Sequence, residues 1–189
     1  MSKVIVIQFM SLDGVIQDPD GSDGTAGAGW AFRYGPEPVS GDPFRLSEVL
    51  AVGALVLGRR TWEQFAKIWP GRDDPFSAQM NAMPKLVASR SLPDAGAWEN
   101  STLVRDGLEA AVRERKREQE VVVMGSVSVT RALMAADLVD EYRLMVFPLT
   151  LGAGTRLFAD GAAPASLALV SAQPVGPAVR LVYTRAESE

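Results

Sequence analysis

The stretch LGRRTWEQF, Leu57 to Phe65, changes character at one glycine. Before it, Ala54 to Leu57 (ALVL) is a short, continuous apolar run that reads as a strand buried on both faces. After it, Thr61 to Ile68 carries the apolar spacing of a helix, and Thr61 followed by Gln64 matches a capping box that would start that helix. Between them stand Gly58, Arg59 and Arg60. A strand that passes through a glycine into a helix is the repeating unit of an α/β sheet. In open sheets of that kind the carboxyl ends of the strands form the ligand crevice. A helix N-terminus there offers unpaired amide protons, glycine allows close approach to the backbone, and guanidinium groups take phosphate in bidentate fashion. The stretch therefore predicts both an α/β fold and a local anion site.

The same junction recurs on either side. Val4 to Phe9 (VIVIQF) reads as a strand that ends at MSLDG, and Lys85 to Ala88 (KLVA) as one that ends at Ser89 and Arg90. Val121 to Met124 (VVVM) runs into Gly125-Ser126 and then VSVTRALMAADLVD, a helix with Ser126 or Ser128 as its N-cap. Phe44 to Val52 has helical spacing, Thr102 to Val104 is a further strand, and Asp106 with Glu109 resembles a capping box. The run RERKREQE, Arg113 to Glu120, mixes acids with bases and reads as a solvated helix face and end. Glu141 to Phe147 is another strand, and Leu167 to Gln173 with Ala178 to Tyr183 flank a Pro-Val-Gly-Pro turn as a hairpin. Helices and strands alternate and strands alone close the chain, so residues 1–189 are expected as one α/β domain. Gln17 to Pro43 is long, rich in glycine, aspartate and proline, and holds Trp30, Phe32 and Tyr34. It reads as a folded loop lining a site.

Composition narrows the chemistry. The chain has 189 residues, 47% of them hydrophobic, enough for one sizeable core. Its formal charge is 19 − 23 = −4, so no global basic field draws it to nucleic acid or an anionic membrane. It contains no cysteine and no histidine, which excludes disulfides, thiol nucleophiles, Ser-His-Asp triads and the usual zinc sites. A carboxylate-only magnesium or calcium site stays open but no calcium-loop pattern supports one, so no metal is expected, and no P-loop signature is present. The apolar start at MSKVIVIQF is too short for a secretory segment or a membrane span, so a cytoplasmic protein is expected. An enzyme with this composition would rely on a borrowed cofactor.

LVLGRRTWEQF, the first strand ending in MSLDG, and VVVMGSVSVTRALMAADLVDEYRLMVFPLTLGAGTRLF together resemble the dihydrofolate reductase-like superfamily. Within it they are most similar to the reductase domain of the bifunctional riboflavin-biosynthesis deaminase-reductase and its stand-alone bacterial relatives. The resemblance implies a three-layer fold, a mostly parallel sheet with helices on both faces and an antiparallel C-terminal hairpin. It implies NADPH as cofactor, a small-molecule substrate and a homodimer, with Leu167 to Tyr183 as the candidate edge. Carried onto this chain, Gly58, Arg59, Arg60 and Thr61 would meet the pyrophosphate and adenosine phosphate. Ser89 and Arg90 would hold the adenosine end, and Gly125, Ser126, Val127 and Ser128 would form a second phosphate cradle.

On the substrate side the resemblance points to Asp13 and Gly14, although Asp13 could equally bond its own loop. Trp30, Phe32 and Trp69 could stack a flat heterocycle or serve as core or lid packing. For Asp42 two roles stand, helix N-cap or proton delivery, and Glu48 is the other local acid, equally explained by a solvated helix face. The chain departs from the family in having Gly125-Ser126 where two glycines are common. The reactions implied are reduction of 5-amino-6-(5-phosphoribosylamino)uracil, or reduction of a pterin, folate or other carbonyl compound. A third reading is a non-catalytic dimeric nucleotide-binding module.

Overall fold

The computed structural model describes residues 2–46, 49 and 51–186. Its strands are β1 (Val4–Ser11), β2 (Ala54–Gly58), β3 (Lys85–Ala88), β4 (Ser101–Val104), β5 (Val121–Met124), β6 (Glu141–Phe147), β7 (Leu167–Val175) and β8 (Ala178–Arg185). The helices are α1 (Arg59–Ile68), α2 (Pro75–Ala82), α3 (Leu108–Lys116) and α4 (Val127–Ala135), and a 3₁₀ turn covers Ala31–Tyr34. The strands hydrogen-bond in the order β4-β3-β2-β5-β1-β6-β8-β7. This is the mixed α/β sheet expected from the sequence, parallel in its first part and antiparallel where strands alone end the chain. No helix among the described residues is long and apolar enough to cross a membrane.

The chain divides into two compact units, one made of Met1–Val6 and Arg45–Asp140, the other of Ile7–Phe44 and Glu141–Glu189. In the first unit β2 is buried at every position, which is why its sequence is continuously apolar instead of alternating. It pairs in parallel with β3, placing Gly58 beside Ala88, and β3 pairs in parallel with β4, placing Ala88 beside Val104. On its other side Val56 stands beside Val123 of β5. This common register brings the carboxyl ends of all four strands to one level. Helices α1 and α4 both pack on β2, and α3 packs on β5.

The polar anchor of this unit is Lys85. Its side chain is 1% exposed, and its ammonium donates to the carbonyls of Asn81, Met83 and Glu99 at 2.9, 2.8 and 3.0 Å. The charge also lies 4.3 Å from the Trp98 ring centroid. Asn81 extends the anchor, accepting from the Trp98 indole at 2.8 Å and donating to the Trp69 carbonyl at 3.0 Å.

In the second unit β6 and β7 flank β8, both antiparallel to it, as the Gly-Pro turn predicts. Phe147 is the centre of the core there, with the rings of Phe9, Trp30 and Tyr34 at 5.7, 5.5 and 5.8 Å.

Several local expectations are corrected. The α1 helix begins at Arg59, with Gly58 in extended conformation as its N-cap and no side-chain capping bond, so Thr61 lies inside the first turn and starts nothing. The start of α3 is set by left-handed Gly107, again without a side-chain cap, in place of the Asp106 and Glu109 box. Helix α2 was not anticipated. Its signal lay in Asp74-Pro75, an N-cap whose carboxylate accepts from the Ser77 amide at 3.0 Å, followed by proline at the first helical position. In the helix expected over 44–52, residues 47, 48 and 50 lie outside the described residues, and with them Glu48.

Candidate functional site

In the first unit the two glycine turns expected to bind phosphate touch each other. A Cβ on Gly58 would stand 2.1 Å from the Ser126 Oγ and 2.9 Å from its Cβ, and a Cβ on Gly125 would stand 3.0 Å from the Thr61 Cγ2. The hydroxyls of Thr61 and Ser126 lie 3.3 Å apart. The turns after β2 and β5 are thus one interlocked surface, held together where a side chain on either glycine would not fit.

Gly125 and Ser126 both have positive φ, 73° and 55°. The left-handed pair that two glycines would adopt is retained although the second residue is serine. Ser126 stands at the N-cap of α4 but makes no side-chain capping bond, and Ser128 lies exposed in the first turn, so neither serine caps the helix as expected. Val127, the first helical residue, is half-buried. Thr130, which the sequence did not single out, donates its hydroxyl to the Gly125 carbonyl at 3.4 Å and is 1% exposed.

Two uncapped helix N-termini therefore meet at adjacent strand ends, and neither helix carries an acid in its first turn. Helix α2 shows the contrast, because its N-terminus is satisfied by Asp74. At α1 the first turn instead holds the exposed cations Arg59 and Arg60, the sign a helix dipole disfavours there. An anion would relieve both the orphan amides and that repulsion.

Ser89 and Arg90 follow β3, the strand beside β2. The Ser89 hydroxyl accepts from the Leu92 amide at 3.0 Å, shaping the loop. Arg105 fastens that loop by donating to the carbonyls of Arg90, Leu92 and Pro93 at 3.2, 3.1 and 3.0 Å. Arg90 itself pairs with Asp106 at 3.4 Å, and with both side chains over 80% exposed the pair is weak enough to exchange for another anion.

The substrate-side residues fall in the second unit. Asp13 is a clamp for two loops: its carboxylate accepts from the Ser11 hydroxyl at 2.6 Å and from the amides of Leu151 and Gly152 at 3.1 and 2.8 Å. Those bonds, the hydroxyl first and the amides next, pull its carboxyl down to about 2. The segment around Gly14 is joined to the same partner loop through Ile16 to Thr155 and Leu157 to Gly14 backbone bonds of 2.9 and 3.0 Å. MSLDG and LGAGTRLF, distant in sequence, are one composite loop. Arg156, absent from the sequence-derived set, is part of it, donating from Nε to the Asp13 carbonyl at 3.1 Å.

Of the two roles open to Trp30, the structure gives core packing, which removes it from the substrate-side residues. It is 1% exposed, packs edge-on against Phe147, and gives its indole proton to the Gln17 carbonyl at 2.9 Å. Phe32, in the same 3₁₀ turn, is 54% exposed and open to a ligand. Trp69, in the first unit, has Phe65 edge-on at 5.8 Å and Arg72 over its ring at 5.1 Å. Asp42 lies half-buried in a bend, and the carbonyls of the next two residues are held by Arg180 at 3.0 Å and Arg143 at 3.1 Å.

The sequence model of the RibD C-terminal domain matches residues 2–181. The chain belongs to that family. Membership places it in a reductase-like family of riboflavin biosynthesis and in the oxidoreductase class. The YwjB protein of Bacillus subtilis (strain 168) is 28% identical over 186 residues, covering 97% of this chain and 98% of the relative. YyaP of the same organism is 22% identical over 189 residues, covering 96% and 94%. Among solved structures, a putative riboflavin biosynthesis protein from Shewanella sp. PV-4 superposes with a TM-score of 0.75 at 22% identity, covering 98% of this chain and 99% of its own. A pyrimidine reductase-like protein from Corynebacterium diphtheriae gives 0.66 at 14% identity, covering 99% and 93%. At those identities the two structures support the RibD C-terminal domain fold and nothing finer.

Proposed function

We propose that this RibD C-terminal domain protein is an NADPH-dependent reductase of a small heterocyclic substrate, with 5-amino-6-(5-phosphoribosylamino)uracil as its substrate in riboflavin biosynthesis. The observation that carries the reading is the meeting of the two uncapped helix N-termini across Gly58 and Gly125, with Arg59 and Arg60 at the mouth. The residues present fit a diphosphate cofactor: two helix N-termini without side-chain caps stand at adjacent strand ends, and the cations lie where a helix end already favours an anion. In this reading Gly58, Arg59, Arg60 and Thr61 hold the phosphates together with Gly125, Ser126, Val127 and Ser128. Ser89 and Arg90 hold the adenosine end. Bound there, NADPH supplies a hydride from C4 of its nicotinamide ring. The chain contributes binding and orientation. Within the second unit, Asp13 fixes the composite loop and Phe32 is exposed to stack on a flat ligand. Asp42 or water delivers the proton.

Calorimetric titration with NADPH and NADH tests this, using the wild-type protein and an Arg59→Ala/Arg90→Ala double variant. The expected outcome is micromolar NADPH binding, weaker NADH binding, and loss of that preference in the variant. Failure of both nucleotides to bind removes the cofactor reading. Binding without oxidation by uracil, pterin or carbonyl substrates would make the chain a nucleotide-binding module instead.

The homodimer is part of the same proposal. Strand β7 ends the sheet order, carries a register irregularity between Leu169 and Ser171, and exposes Leu169 at 57% and Val170 at 60%. Such an edge invites a second copy. Sedimentation analysis should find a dimer that Leu169→Lys/Val170→Lys converts to a folded monomer. A wild-type monomer at high concentration would remove this part.

A further inference from the structure

Arg59 does not meet an incoming phosphate as an isolated cation. Its Nε lies 3.9 Å from the carboxylate of Glu63, one helical turn further along α1, with the two side chains 45% and 42% exposed. Its Nη1 donates to the hydroxyl of Ser91 at 3.3 Å. The guanidinium fork is thus shared between an acid on its own helix and a hydroxyl on the loop after β3. Glu63 is the first acid along α1, and it reaches the cation that the proposed cofactor site depends on.

A carboxylate in that position acts in two ways on an approaching anion. It competes for Arg59, and its own charge repels the anion through space, at a range within about one Debye length at physiological salt. A ribose 2′-phosphate carries up to two negative charges and a 2′-hydroxyl carries none. Both coenzymes carry the diphosphate and only NADPH carries the 2′-phosphate, so the penalty is larger for NADPH than for NADH.

We infer that Glu63 is a specificity-determining residue that narrows the discrimination between NADPH and NADH, while Ser91 is a positioning residue that holds the Arg59 fork. The inference rests on the cofactor reading above and adds to it which side chain sets the coenzyme ratio. The rival role for Glu63 is a strut that aims Arg59 at phosphate. An exposed pair at 3.9 Å is a weak strut, and a neutral amide at the same place would still accept from Arg59.

Glu63→Gln removes the charge and keeps the shape. Affinities of the wild-type and variant proteins for NADPH, NADH, adenosine 2′,5′-bisphosphate and adenosine 5′-monophosphate would be measured at low and high salt, with the thermal transition as a check on folding. The expected result is tighter binding of NADPH and of the bisphosphate by about two- to five-fold, with smaller gains for NADH and the monophosphate, so that the NADPH to NADH preference widens. The gain should shrink at high salt. Ser91→Ala should weaken NADPH more than NADH. NADPH binding with an unchanged ratio, or weaker NADPH binding in Glu63→Gln, overturns the inference alone. A wild-type protein that binds neither coenzyme nor the bisphosphate overturns the inference and the cofactor reading together.

Discussion

Gly58→Ala is expected to destabilise the protein by about 1–3 kcal/mol and to weaken NADPH binding at least about tenfold, because the new methyl overlaps Ser126. The backbone at Gly58 is not the difficulty, since its φ of −85° and ψ of 167° suit any residue. The obstacle is Ser126, whose Oγ and Cβ would lie 2.1 and 2.9 Å from the added carbon. The hydroxyl can rotate away, but the Cβ cannot without moving the turn. Ser126→Gly alone should be neutral or stabilising, because it relieves a non-glycine residue held at a φ of 55°. The double variant Gly58→Ala/Ser126→Gly should recover most of the stability lost by Gly58→Ala. Urea unfolding of the four proteins reads the coupling directly, and additivity within about 0.5 kcal/mol would mean that the two turns do not share their space.

Lys85→Ala should be the most damaging single change in the first unit, costing about 3–5 kcal/mol and lowering Tm by roughly 10 °C. It removes a buried stem and leaves the carbonyls of Asn81, Met83 and Glu99 without their donor. The effect has a defined pH dependence. Burial pulls the Lys85 ammonium from its ordinary 10.5 down to about 8, with the charge of Glu99 pushing the other way. Below pH 8 the folded and unfolded chains both hold the proton. From pH 8 to 10.5 the unfolded chain keeps a proton that the folded one has released, so wild-type stability rises with pH through this group. The gap between wild type and Lys85→Ala should therefore widen across that window, as measured by denaturant unfolding at fixed salt. A gap that narrows would mean that the three carbonyls and the Trp98 face hold the ammonium more strongly than burial opposes it.

Much of the fold was legible because it is written in local pattern. The strands at 54–58, 85–88 and 121–124 are short apolar runs buried on both faces, and the turn before residue 178 is marked by Gly176 and Pro177. Gly58, Thr61, Gly125 and Ser126 were selected from their places at strand ends, and the parallel register brings them into contact. The capping assignments failed for two reasons. At 107 and 126 the helix is entered through a left-handed residue, and the Asp106 and Ser126 side chains are not used as caps. At 58 the backbone is extended, but the space a capping side chain would need is filled by Ser126, so the helix starts at Arg59 ahead of Thr61.

The sequence by itself determined the alternation of strand and helix, the glycines and arginines at the strand ends, and the exclusion of thiol and imidazole chemistry. It did so because those properties depend on neighbours a few residues away or on composition alone. The tertiary structure decided what each polar or aromatic side chain faces. Asp13 binds amides that lie 138 and 139 residues away, Trp30 closes on Phe147, and Arg59 is shared by Glu63 and Ser91. Only folding fixes which of these side chains leave water, because burial and partnership across such separations are set by the packing of elements and have no local signature.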